Sequence, residues 1–456
     1  MLTGARSLSR NNAQQPFADS RRRKVSFFLI FLGVLLVVAC NDGGTTEPVL
    51  TVTPTPLASG TPGTTDPSHL TPPEELQFEW GTLAGVEFAL RDPSTLAFGP
   101  DGRLYVGQVG GGLIALTLDG QTVTAVEVIA EAGRLGHVLG IAFNPADPPS
   151  PVTLYVSRTS LYAGEDGPLF PGKITRLVAP SFRPIDVISG LPVGTKDHGT
   201  NGIAFDGEGR LYIAQGGTNN AGVAHGGASR PDSPLSGAIL VADLSDPAFD
   251  GEIRYEPPNA VGPTVDQVAG DVRVYASGFR NPYDLVIHSS GRIYATDNGP
   301  NTPGGAQSLS CTEEGSTPWA PDELNLIVEG QYYGHPNRNR GRFDARQCVY
   351  HGADDSSGGA TGSLATLGYS VSANGLVEYT SDAFDGRLQG ELIYVEWARR
   401  RVWRVELSED GAQVASISQL VPDALQQPLD LAVGSDGTIY IAEWGGDRIT
   451  YYRPMP

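Results

Sequence analysis

Residues 274–301 read Val274-Tyr-Ala-Ser-Gly-Phe-Arg-Asn-Pro-Tyr-Asp-Leu-Val-Ile-His-Ser-Ser-Gly-Arg-Ile-Tyr-Ala-Thr-Asp-Asn-Gly-Pro-Asn301. Two apolar runs of period two flank a Ser-Gly tip, the signature of a β-hairpin. A cation and an amide, Arg280 and Asn281, stand at the start of the first strand, and Asn298-Gly299-Pro300 follows the second. Antiparallel neighbours bring those two places to one end of the sheet, so both polar groups can open onto the same ligand. The alternative reading is a turn in which Arg280 and Asn281 tie down loop backbone.

The same unit recurs. Leu96–Val106, Gly202–Ile213 and Asp430–Ile441 repeat it with an acidic-Gly tip. Gly140–Phe143 with Leu154–Val156, and Gly375–Tyr379 with Leu392–Val395, repeat it with longer insertions. Six hairpins with room for two more strands each predict an all-β chain, a six-bladed propeller of four-stranded antiparallel blades. The Phe and Tyr of these repeats read as core. Leu76–Trp80 is placed to close the ring against the last blade.

The ends and the charge set the setting. Arg21–Lys24 is basic, Val25–Ala39 is apolar, and Val37-Val38-Ala39-Cys40 fits a lipoprotein signal whose Cys40 is lipidated. An ordinary signal peptide or an uncleaved anchor are the alternatives. The expected organisation is a signal over 1–39, a Thr/Pro-rich tether over 40–75 and the propeller over 76–456. The chain carries 31 Lys+Arg against 51 Asp+Glu. Without residues 1–39 the balance is 25 against 50. A body this acidic excludes nucleic acid and anionic membrane surfaces as partners, so attachment falls to the N-terminal lipid, at the cell surface or in the periplasm. Cys311 and Cys348 remain as an even pair in an exported chain, which predicts a disulfide.

The 274–301 stretch, and Asp322-Glu-Leu-Asn-Leu-Ile-Val-Glu-Gly-Gln-Tyr-Tyr-Gly-His-Pro336, resemble the glucose/sorbosone dehydrogenase family. Its members are six-bladed propellers that use pyrroloquinoline quinone (PQQ) and calcium. The resemblance implies that His198, in Lys196-Asp-His-Gly-Thr-Asn-Gly202, is the general base for a sugar hydroxyl, a task suited to imidazole. It implies that Arg280 offsets charge on the quinone, with Asn281 and Asn298 bonding the cofactor or fixing the loop. The carbonyls of Gly299 and Pro300 would help hold the cofactor calcium. Glu323 and the carbonyl of Tyr333, with Asp344 as a further ligand, would form a second calcium site. The implied substrate is a small sugar. The electron acceptor is not indicated.

Three departures stand against this. Gly217 occupies the place where the family orients its His with an Asp. Blade six reads Gln426-Gln-Pro-Leu-Asp-Leu431, without the Arg pair that clamps the acids of PQQ. On blade five, Arg399 or Arg400 stands in for a Lys, or lies on a solvated hairpin tip. His335 replaces an aromatic. A propeller that binds a glycan without turnover is therefore the second reading. A calcium lactonase is a weaker third, because no set of axial carboxylates and amides assembles from the sequence.

Overall fold

The computed structural model describes residues 76–455 apart from 87, 165, 221, 223–229, 301–318, 354, 356–357 and 422–424. The signal, Cys40, the tether and Cys311 lie outside the described residues.

Six four-stranded antiparallel sheets follow one another along the chain. Their innermost strands are Pro93–Phe98, His137–Ala142, Thr200–Phe205, Pro282–Ile287, Ala373–Glu378 and Pro428–Val433. Each packs against the next, and the sixth packs against the first, so the ring is closed. The sixth blade is shared between the chain ends: Phe78–Thr82 pairs with Arg448–Pro454, with Phe78 opposite Pro454. This is the closure expected from residues 76–80. One four-residue α-helix, Arg338–Gly341, and single 3-10 turns are the helical elements among the described residues. No described helix is long and apolar enough to cross a membrane.

The repeats have a plain physical cause. Gly102, Gly209, Gly291 and Gly437 sit at hairpin tips with φ of 77°, 84°, 80° and 80°. Left-handed backbone there favours Gly, which is why the tips read Asp-Gly, Glu-Gly or Ser-Gly. The repeated tyrosines Tyr105, Tyr155, Tyr212, Tyr294, Tyr394 and Tyr440 are all buried. They fill the seams between blades; Tyr155 and Phe205, for example, meet edge to face at 4.8 Å across blades two and three. Each such side chain contributes roughly 2–3 kcal/mol by burial.

On the axis the strands are stitched by two carboxylates. Asp284 of blade four accepts from its own Leu285 N and from Leu376 N of blade five, at 2.9 and 2.8 Å. Asp430 of blade six accepts from Leu431 N and from Leu96 N of blade one, both at 2.8 Å. Glycines make room for them: Gly202 faces Asp284 and Gly375 faces Asp430. The two acids line an axial cavity of about 300 Å³. Burial pushes the Asp430 carboxyl up to about 7. It raises Asp284 well above the carboxylate range, with the charge of Asp430 adding to the effect.

Candidate active site

The pairing register places the site. Thr200 is opposite Gln215 in blade three, and Pro282 is opposite Asp297 in blade four. The loops that enter the inner strands and the loops that leave the second strands therefore meet at one end of the ring. His198 lies two residues before Thr200, and Arg280 lies two residues before Pro282, so they occupy equivalent positions on adjacent blades.

The peptide of Gly217 joins them. Its carbonyl accepts from His198 Nδ1 at 2.9 Å, and its N–H donates to the Arg280 carbonyl at 2.8 Å. A Cβ at position 217 would lie 2.7 Å from that same carbonyl oxygen, so glycine is required for the close approach. The sequence reading counted Gly217 against an oriented histidine. The structure orients His198 with a backbone carbonyl instead. Because the carbonyl can only accept, Nδ1 carries the proton and Nε2 keeps its lone pair. Asp197 Oδ1 is 3.8 Å from Nε2, beyond hydrogen-bond length. His198 is 7 % exposed. Burial, then the charge of Arg280, lowers its pKa to about 4 against the opposing pull of Asp197 and Gly217, so the ring is neutral at physiological pH.

Arg280 is 5 % exposed and fixed from several sides. Its backbone N donates to Asp297 Oδ2 at 3.1 Å, Nε donates to Asn220 Oδ1 at 2.9 Å, and NH1 donates to the Asn298 carbonyl at 3.0 Å. Burial lowers its pKa, and Asp197, Asp297 and Asp322 offset that loss. Asn281 donates its backbone N to Asp297 Oδ1 at 2.8 Å, and its side-chain oxygen accepts from Asn201 at 3.0 Å. Asn298 Nδ2 reaches across to the Ala373 carbonyl of blade five at 2.6 Å. Arg280, Asn281 and Asn298 thus form one network, with His198 attached through Gly217.

Asp297 was not singled out in the sequence, nor was the rule it obeys. The last residue of the second strand in most blades holds the loop entering the first. Gln108 accepts from Arg91 N at 2.7 Å, Gln215 donates to the Gly199 carbonyl at 3.0 Å, and Glu443 accepts from Gln426 N. Burial pushes Asp297 up to about 7 despite the two backbone donors and Arg280. Arg91 was also missed. It lies two residues before Pro93, the offset shared by His198 and Arg280, and puts an exposed cation on the same rim in blade one.

The remaining candidates are spread out. Gly299 N donates to Asp322 Oδ1 at 3.1 Å, and the Pro300 carbonyl accepts from Ala320 N at 3.3 Å. Glu323 is buried beside Asn325, whose amide lies 3.4 Å away. Tyr333 stacks on Phe279 at 4.7 Å and donates its hydroxyl to the Leu326 carbonyl. Asp344 caps the turn Ala345–Cys348 and pairs with Arg346 at 2.7 Å, and the Arg346 bonds hold its pKa below the usual range. Among the described residues, no three His, Cys, Asp or Glu side chains are grouped to hold a metal. Arg399 lies on the rim, packed against Gly368 and 3.6 Å from Glu396. His335 is buried with Nδ1 unbonded, and burial together with Arg280, His198 and Arg340 keeps it neutral.

The closed ring of six four-stranded blades is the architecture this chain shares with known proteins. The Glucose / Sorbosone dehydrogenase family model matches residues 90–449, and the chain belongs to that family. Quinoprotein glucose dehydrogenase B of Acinetobacter calcoaceticus is 23% identical over 274 residues, which is 54% of this chain and 51% of that protein. The chain thus matches about half the length of that curated relative. The PQQ-bound aldose sugar dehydrogenase of Streptomyces coelicolor superposes with a TM-score of 0.57 at 19% identity, covering 83% of this chain and 98% of that one. The apo form of the soluble aldose sugar dehydrogenase of Escherichia coli gives 0.58 at 19% identity, covering 83% and 100%.

Gly217→Ala is a direct test of the peptide link. The added Cβ forces the Gly217 and Arg280 backbones apart. The variant is expected to fold, with stability reduced by about 1–3 kcal/mol. If the link positions the base, catalytic activity falls more than tenfold, which is about 1.4 kcal/mol in the barrier. Turnover equal to wild type would show that the link does not position the base.

Proposed function

We propose that this protein is a PQQ- and calcium-dependent dehydrogenase that oxidises a hydroxyl of a sugar. The observation that carries the reading is the His198–Gly217–Arg280 link: a base with its tautomer fixed and a buried cation on the adjacent blade. Family membership supports the reading, as does the PQQ-bound relative. PQQ, when bound, supplies a quinone that accepts hydride. The chain's own part is as follows. His198 Nε2 takes the proton of the sugar hydroxyl. The Gly217 carbonyl holds the opposite edge of the ring and stabilises the imidazolium that results. Arg280, with its charge largely desolvated, favours negative charge developing at the cleft. Asp297 keeps Arg280 and Asn281 in place.

These residues fit the quinone end of PQQ. For its acids the candidate cations are Arg399 of blade five and Arg91 of blade one, while blade six presents Gln426. For calcium, the carbonyls of Gly299 and Pro300 and the carboxylate of Glu323 remain the candidate ligands, together with the Tyr333 carbonyl and Asp344. The Cys311–Cys348 disulfide is part of the proposal. Cys348 is buried and disulfide-bonded, and peptide mapping without reduction checks the partner. Lipidation at Cys40 would hold the enzyme outside the cytoplasm, and loss of fatty-acid labelling in Cys40→Ala tests it.

The decisive assay adds PQQ and calcium to purified apo-protein and follows reduction of an artificial acceptor with a panel of aldoses. Turnover dependent on both is expected, with a rise in Tm on adding calcium and PQQ, since ligands bound by the native state alone stabilise it. A protein that binds sugars but never reduces the acceptor would leave the glycan-binding reading, which the absence of an Arg pair from Gln426–Leu431 of blade six favours.

A further inference from the structure

Two aromatic side chains that the propeller leaves in solvent stand beside the cleft. Trp319 is 51 % exposed and Tyr369 is 52 % exposed. Their ring centroids are 4.8 Å apart and their planes are inclined at 57°. Neither ring is part of a seam between blades. Trp319 is held in place, since its Nε1 donates to Ser370 Oγ at 3.1 Å. Tyr369 ends the outer strand of blade four. The two rings line a groove of about 810 Å³ that has the buried ring of Tyr350 among its walls, together with Asp355, Thr366 and Gly368.

The groove adjoins a loop of the site already described. Ala320 N donates to the Pro300 carbonyl, and the Ala320–Pro321 backbone packs against Gly299. On the other side Gly368 touches Arg399. The Ala320–Pro321 wall of the groove therefore packs on the loop whose Asn298 carbonyl accepts from Arg280.

Single exposed aromatics are ordinary, but an adjacent pair over a concavity of this size marks a ligand surface. The inclined rings form a notch, which suits a puckered ring with C–H faces better than a flat protein surface. The polar groups lining the groove include the Asp355 carboxylate, the Thr366 hydroxyl and backbone, which match sugar hydroxyls. Among the described residues lining the groove Asp355 is charged and no Lys or Arg is present, which disfavours anionic ligands there.

We propose that the Trp319–Tyr369 groove is a saccharide subsite. It holds the non-reacting units of a neutral oligosaccharide whose reacting unit lies at His198. The inference rests on the sugar reading above only for the class of ligand, and its test needs no turnover. Full-length protein without cofactor is titrated calorimetrically with maltotriose, with cellotriose and with glucose. At least one trisaccharide is expected to bind about tenfold or more tighter than glucose, and Trp319→Ala and Tyr369→Ala each lose about tenfold for that trisaccharide while glucose is unaffected. Trisaccharides that bind no tighter than glucose, or variants that titrate like wild type, overturn it. So does a change of oligomeric state in the variants by sedimentation, which would make this face a contact between copies. Failure of acceptor reduction in the assay above would count against the dehydrogenase reading and leave this one standing.

Discussion

Substituting His198 by alanine is expected to cut sugar-dependent acceptor reduction by about 10²–10⁴-fold, the usual range for loss of a general base. The fold should survive, because the imidazole makes one side-chain bond, to the Gly217 carbonyl, and sits at the mouth of the ring. Circular dichroism and melting of the variant check that point. The pH profile adds a readout that a structural role would not move. An ordinary histidine loses its free base near pH 6.5, whereas His198 is depressed to about 4 by burial and Arg280. Activity should therefore hold from neutrality down to about pH 5 and fall as the pH approaches 4. For stability the sign follows from the same shift. The folded state disfavours the imidazolium, so this contribution is present above pH 6.5 and is lost as the pH falls towards 4. An acid limb at 6.5 in the wild type, or full activity in His198→Ala, would remove His198 from the mechanism.

The largest loss of stability is expected from Gly375→Ala. A Cβ there would lie 2.5 Å from the Cα of Asp430, a backbone atom that cannot swing aside. To accommodate it, blade five and blade six must separate on the axis. That move strains the Asp430 bond to Leu96 N and with it the seam to blade one. The cost combines overpacking, about 1–3 kcal/mol, with a buried N–H deprived of its acceptor, about 1–3 kcal/mol more. Gly102→Ala is the control. Its φ is 77° but no heavy atom lies within 4 Å of the added Cβ, so only backbone strain of about 1–2 kcal/mol applies. Urea unfolding of both variants distinguishes the cases, and equal midpoints would show that the axial stitch carries no special weight.

The fold was legible because its cause is local. Alternation, tip glycines and the recurring tyrosine each act within a dozen residues, and six copies make the pattern hard to mistake. His198 and Arg280 were legible for a related reason: both stand at a fixed offset before an inner strand. The same offset in blade one points to Arg91, whereas the resemblance directed attention to cations on blades five and six. The link between the two candidates was not legible at all. A backbone carbonyl has no side-chain signature, so Gly217 looked like a missing acid when it is the acceptor. Asp297 and Gln215 read as strand ends, since their partners are main-chain groups fixed only by the pairing register. The ligand sets proposed for calcium mix carbonyls with carboxylates from distant segments, and Asp344 already has Arg346 as a local partner.

The pairing of Phe78–Thr82 with Arg448–Pro454 bears on how the molecule is made. The first strand finds its partner only in the last one, so a ribosome that has delivered five blades still holds an open arc with an unpaired edge. Completion waits for the final residues to leave the tunnel. Contacts between the first and last strands of the propeller have the greatest sequence separation in the ring, and topologies dominated by such contacts are slow to fold. If the proposed signal over residues 1–39 directs export, a slow finish would let the chain cross its membrane before the ring closes. It also makes the C-terminal residues a single point of failure: a stop codon a few positions before Arg448 would leave the first strand without a partner and the sixth blade with two strands.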